Sequence, residues 1–149
     1  MDVPTDWFWE GNVVDALARH LTAKGYQIEK KANTHLKERG VDIQALRAGK
    51  RLLVEVKGFP SRKYRDPRRA HEHKPTSPTN QAQQWYSHAL LAGMRLQTKN
   101  PDATIALAFP DFPRYQKLFE ETQAGLERLG IGILMIQESG SVHEWGLTG

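Results

Sequence analysis

Three residues combine types and spacing suited to chemistry on a charged substrate. Asp42 lies in Gly40-Val41-Asp42-Ile43-Gln44-Ala45, and Glu55 and Lys57 lie in Leu53-Val54-Glu55-Val56-Lys57-Gly58. Alternate side chains of an extended strand share a face. Glu55 and Lys57 are therefore expected side by side, with Leu52, Val54 and Val56 on the reverse, and Asp42 opposite in sense to Val41, Ile43 and Ala45. If Ala48-Gly49 is the centre of a tight turn, Arg47 pairs with Lys50, Leu46 with Arg51 and Asp42 with Glu55. Directly opposed residues bring their Cβ atoms to about 4.5–5.5 Å. Two carboxylates that close repel each other. A divalent cation resolves the conflict: Mg²⁺ takes oxygen ligands, commonly one or two carboxylates completed by waters and substrate phosphate, and Mn²⁺ accepts the same donor types. The Lys57 ammonium can then stabilise charge on a phosphate, or hold and help deprotonate an attacking water.

The elements that must position these residues can be read from periodicity and punctuation. A first helix is expected after a cap at Thr5 or Asp6, with Val13, Val14, Leu17 and Leu21 on one face and Gly25 as its stop. Strands are expected over 26–31, 41–46 and 51–59. Pro60, Pro67, Pro75 and Pro78 resist regular structure, and Thr79 or Asn80 can cap a long helix reaching about Leu96, with Trp85, Ala89, Leu90 and Met94 as buried candidates. A strand over 103–109, an amphipathic helix over 115–129 ended by Gly130, and an interior strand over 131–136 complete the order α-β-β-β-α-β-α-β. The early meander should be antiparallel and the later strands parallel, giving an α/β fold with a mixed central sheet flanked by helices. The chain of 149 residues, without repeats or a convincing linker, suits one domain over 1–149.

An Asp, a hairpin and then Glu-x-Lys, set in α-β-β-β-α-β order, resembles the PD-(D/E)xK nuclease superfamily. In style the chain is similar to the small Holliday-junction resolvases and to modification-dependent restriction nuclease domains. The resemblance covers roughly the first 110 residues, and Val41 stands where the motif usually has proline. It implies a restriction-endonuclease-like αβββαβ core. It also implies that Asp42, Glu55 and the Val56 carbonyl bind Mg²⁺, with Mn²⁺ as a substitute, and that Lys57 is the catalytic lysine. Members often add a glutamate from the first helix, as a catalytic and metal-binding residue. Glu10 is the candidate, since positions 10, 13, 14, 17 and 21 share a helical face while Asp15 falls off it; a first-turn acid favoured by the helix dipole explains Glu10 equally well. Some members use a polar residue opening the next helix. Gln81 is the candidate there, with Gln84 three residues on, and an exposed first-turn glutamine is the alternative.

Between the catalytic strand and that helix, Arg62, Lys63, Arg65, Arg68, Arg69 and Lys74 face only Asp66 and Glu72, a surplus as large as the whole chain's +4. Alone, such a run is a solvated loop. At the rim of a nuclease site, Arg62, Lys63, Arg65, Arg68 and Arg69 become DNA-backbone contacts, and Tyr64 either stacks on an unpaired base or anchors the loop. His71-Glu72-His73 lacks a third zinc ligand nearby. The absence of cysteine excludes disulfides and thiolate catalysis and suits a cytoplasm. No apolar run approaches the roughly 20 residues of a membrane span, and the N-terminus does not read as a signal peptide. The expectation is a Mg²⁺-dependent DNA phosphodiesterase, an endonuclease of repair, recombination or defence type using a metal-activated water on double-stranded or branched DNA. A homodimer or a partner protein is compatible with that expectation. A non-catalytic nucleic-acid-binding or adaptor subunit and an RNA-directed nuclease are the rivals.

Overall fold

The computed structural model describes residues 6–32, 41–60 and 77–147. Helix α1 (Glu10–Ala23) is followed by strands β1 (Gln27–Lys31), β2 (Ile43–Arg47) and β3 (Lys50–Val56). Helix α2 (Pro78–Lys99), strand β4 (Thr104–Pro110), helix α3 (Pro113–Leu129), strand β5 (Ile131–Ile136) and strand β6 (Val142–Trp145) complete the described elements. The strands form a single mixed sheet in sequence order. Pairings β1–β2, β2–β3 and β5–β6 are antiparallel, while β3–β4 and β4–β5 are parallel. Each parallel step is carried by a helix, as a crossover requires.

The sheet separates two apolar layers. Val13, Val14, Leu17 and Leu21 of α1 pack on Ile43, Ala45, Leu52, Val54 and Val56. On the reverse face Ala82, Tyr86 and Ala89 of α2 and Tyr115, Leu118 and Leu126 of α3 pack on the other side chains of β3, β4 and β5. Interior strands β4 and β5 are covered on both faces, which is why they read as continuous apolar runs.

Several local expectations are corrected. Helix α1 begins at Glu10 rather than after Asp6, with Trp9 in the cap position and no side-chain cap. The aromatic residues before it fold aside, and Trp7 stacks on Phe112 with ring centroids 5.4 Å apart. Pro78 opens α2 instead of resisting it: Ser77 caps the helix by accepting the Asn80 N–H, and a proline in the first turn surrenders no hydrogen bond. The buried stripe of α2 runs through Ala82, Tyr86, Ala89 and Gly93, so Trp85 and Leu90 are only half-buried and Met94 is exposed. Val41 packs with the α2–α3 layer, not beside Ile43 and Ala45, because it precedes the strand and alternation holds only within a paired strand. Strand β6, absent from the sequence reading, covers β5 and seats Trp145 edge-on to Phe119.

Candidate active site

The register of the β2–β3 hairpin is the one counted from the sequence: Arg47 faces Lys50, Leu46 faces Arg51 and Ile43 faces Val54. Both turn residues have positive φ, Ala48 at 52° and Gly49 at 77°. That backbone is the form of two-residue turn whose twist matches the strands. One step beyond the last pair, Asp42 arrives beside Glu55. It does so at a bend rather than within the strand.

Asp42 is held at both ends. Its carbonyl accepts the Ala32 N–H at 2.8 Å, extending the β1–β2 pairing. Its carboxylate Oδ2 accepts the Val56 N–H at 2.7 Å, taking the ladder position that a continued β2 would have filled. In a strand the N–H and C=O of one residue leave on the same edge. The Val56 carbonyl therefore points to the Asp42 side, where an oxygen ligand is expected. Just past the end of β3, Lys57 Nζ lies 3.6 Å from Glu55 Oε1, with the two side chains 22% and 15% exposed. The Lys57 N–H donates to Ala108 on β4 at 3.0 Å, which fixes the strand end.

Glu10 reaches this cluster from the first turn of α1. Burial first, and then the neighbouring Asp42 charge, push its carboxyl up to about 7 against the opposing pull of Lys57. Burial likewise pushes Glu55 up to about 7, with repulsion from Asp42 and Glu10 and partial relief from Lys57. Asp42 is raised by burial, against the opposing effects of the Val56 N–H, Lys57, a hydrogen bond with Glu55, and Lys30. A hydrogen bond between two carboxyl groups needs a proton on one of them. The structure thus brings Glu10, Asp42, Glu55 and Lys57 into one interacting set and leaves Asp15 outside it, paired with Lys31 at 2.9 Å.

This set consists of hard oxygen donors around Lys57, which suits Mg²⁺ or Mn²⁺ and not a soft metal. Among the described residues no three His, Asp or Glu side chains are already closed around one point. Asp42, Glu55 and the Val56 carbonyl would hold such an ion with waters and substrate oxygens completing its shell, as is usual for Mg²⁺.

The same fold occurs in two solved structures. An FdxN element excision controlling factor protein from Anabaena variabilis superposes with a TM-score of 0.56 at 19% identity, covering 91% of this chain and 98% of its own. An XisH family protein from Nostoc punctiforme gives 0.54 at 22% identity, with 94% and 98% covered. At such identities the likeness concerns the fold. No family model matches the sequence, and no characterised protein matches it at the sequence level.

Gln81 lies half-buried on the first turn of α2, and its Oε1 is enclosed without a partner among the described residues. Gln84 is exposed, so the two glutamines do not share an environment as their spacing had suggested. Arg62, Lys63, Arg65, Arg68 and Arg69, with Tyr64, His71 and His73, lie outside the described residues. Two participants escaped the sequence reading. Lys30 acts on Asp42 from β1, where a register shift between Ile28 and Lys30 interrupts the alternation. Tyr115 donates its buried hydroxyl to the Gly58 carbonyl at 2.7 Å. Neither carries a local signal, since both depend on how distant elements meet.

Proposed function

We propose that the chain is a metal-dependent DNA phosphodiesterase of the PD-(D/E)xK type, acting as an endonuclease. The observation that carries this reading is the opposed pair Asp42 and Glu55, half-buried and joined to Lys57 within 3.6 Å of Glu55. A pair of desolvated carboxylates destabilises a strand end unless it is neutralised. A protein that only bound nucleic acid would gain nothing by crowding them where phosphate must approach.

Bound Mg²⁺ would supply Lewis acidity toward a phosphoryl oxygen and a water of lowered pKa. The chain supplies the remaining functions. Asp42, aimed by the Val56 N–H, and Glu55 present oxygen donors from opposite strands. Lys57, alongside Glu55, places its ammonium where negative charge grows on the phosphate. Glu10 adds a carboxyl that can hold a proton near neutral pH. The sharing of a fold with a protein named an element excision controlling factor supports a nucleic-acid substrate.

That name also favours one rival, a controlling subunit that binds without cutting. Labelled DNA and RNA panels, duplex and branched, incubated with Mg²⁺ or Mn²⁺ separate the readings. Cleavage of DNA that disappears in both Asp42→Ala and Lys57→Ala supports the nuclease. Cleavage that survives both substitutions overturns this site. Binding of DNA with no cleavage under any condition favours the controlling subunit, and cleavage confined to RNA favours an RNA-directed enzyme.

A further inference from the structure

The carboxylate of Glu10 belongs to a helix on one face of the sheet, whereas Glu55 and Lys57 share a strand face with Leu53, which packs in the opposite layer. Something must seat the start of α1 at the end of β3 closely enough for Glu10 to join them. The contact is made by backbone. Gly58 is buried, and a Cβ built on it would lie 2.7 Å from both the Glu10 N and the Phe8 O, and 3.2 Å from the Glu10 Cα. These are main-chain atoms that cannot swing away as a side chain would. The next residue completes the clamp: the Phe59 N–H donates to the Phe8 carbonyl at 3.0 Å. Tyr115 secures the Gly58 peptide from α3 through the 2.7 Å bond to its carbonyl. Phe59 packs against Phe8 and Tyr115 edge-on and stacks on Phe112 at 4.2 Å, so the junction is rigid on its apolar side as well.

We infer that Gly58 is a positioning residue, whose missing side chain lets the α1 backbone close onto the catalytic strand and deliver Glu10 to the Asp42–Glu55 pair, with Tyr115 locking that arrangement. The inference rests on the reading of these carboxylates as a metal site. Groups that orient ligands commonly change metal affinity by about 10–100-fold when altered.

The test is Mn²⁺ binding by calorimetry on the full chain, with circular dichroism to verify folding, for Gly58→Ala, Tyr115→Phe, Glu10→Gln and each of the first two combined with Glu10→Gln. Gly58→Ala is expected to weaken Mn²⁺ about 10-fold, and Tyr115→Phe to weaken it less. Neither is expected to weaken it further once Glu10 is already glutamine. That non-additivity is something a general loss of packing would not produce. Should Gly58→Ala fail to fold, Tyr115→Phe, which retains the ring, carries the same cycle. Unchanged affinity in the folded variants, or losses that multiply with Glu10→Gln, overturns the positioning role while leaving the metal site intact. A wild-type chain that binds no Mn²⁺ overturns both.

Discussion

Glu55 is pulled in opposite directions. Its backbone belongs to the interior of the sheet, and its carboxyl is drawn into the same low-dielectric surroundings beside two other acids. The consequence can be measured on metal-free protein. Glu10 and Glu55 have folded-state values of about 7 against an ordinary 4.5, so the native state holds protons that the unfolded chain has released. Their stabilising contribution is complete below the unfolded value and is lost as pH rises through the folded one. Each alone would be worth at most roughly 3 kcal/mol, and less when the acids titrate as a set. Thermal unfolding without divalent cations should therefore show wild type losing stability relative to Glu55→Gln between pH 5 and 8, by about 2 kcal/mol. A constant difference across that interval would show that the carboxyl is not desolvated. Lys57 invites a kinetic prediction. Lys57→Ala should lower kcat for DNA cleavage by roughly 10²–10³, the range for removing one donor aimed at transition-state charge. Lys57→Arg should not restore it, because a planar guanidinium does not replace a compact ammonium. Full activity in Lys57→Ala would remove Lys57 from the mechanism, and full activity in Lys57→Arg would show that any cation suffices there.

The β2–β3 hairpin shows how much one turn decides. Slipping it by one residue would send Asp42 to the other face and dissolve the site. Ala48 occupies a left-handed conformation with φ 52°, which a residue bearing a Cβ adopts at a cost of about 1 kcal/mol or more. Asparagine tolerates that backbone and precedes glycine in the favoured version of this turn. Ala48→Asn should raise stability by about 0.5–1 kcal/mol in denaturant unfolding, leaving the register unchanged; a loss of stability would mean that the turn is not formed as described. This hairpin was legible in the sequence because turn chemistry and alternation both act within a few residues. The faces of α1 and the continuous apolar runs of β4 and β5 were legible for the same reason. What failed depended on partners far along the chain. The stripe of α2 is set by the strands and by α3 beneath it, so Tyr86 is buried and Met94 is not. Val41 follows its strand's alternation only while the strand persists. Strand β6 is short and largely polar, and its pairing with β5 supplies what its own pattern lacks. Within the site, the carboxylates and the lysine could be named from spacing, whereas Gly58 and Tyr115 could not, because their effect comes from a close backbone approach between elements.

At the scale of the whole molecule, charge is distributed unevenly along the chain. The surplus of +4 is matched by the run from Arg62 to Lys74, with its six basic and two acidic side chains. In sequence that run lies between Pro60, four residues beyond the end of β3, and Ser77, the cap of α2. Pro60 follows Lys57 by three residues and lines one pocket together with Ser77, and the three carboxyls of the site are met among the described residues by Lys57, with Lys30 acting on Asp42. A phosphodiester backbone approaching those acids would be repelled unless cationic side chains met it nearby. Each phosphate neutralised by Lys or Arg steepens the fall of log K with log salt concentration by about 0.9 on duplex DNA. Replacing Arg62, Lys63, Arg65, Arg68 and Arg69 together by alanine should flatten that dependence by up to about 4.5, and should weaken binding most at low salt. Fluorescence anisotropy on one duplex across a salt series gives the slope directly. A slope equal to that of wild type would mean the DNA track runs elsewhere on the surface. Binding weakened by the same factor at every salt concentration would point to a lost fold or a lost neutral contact, because an electrostatic contribution must vary with screening.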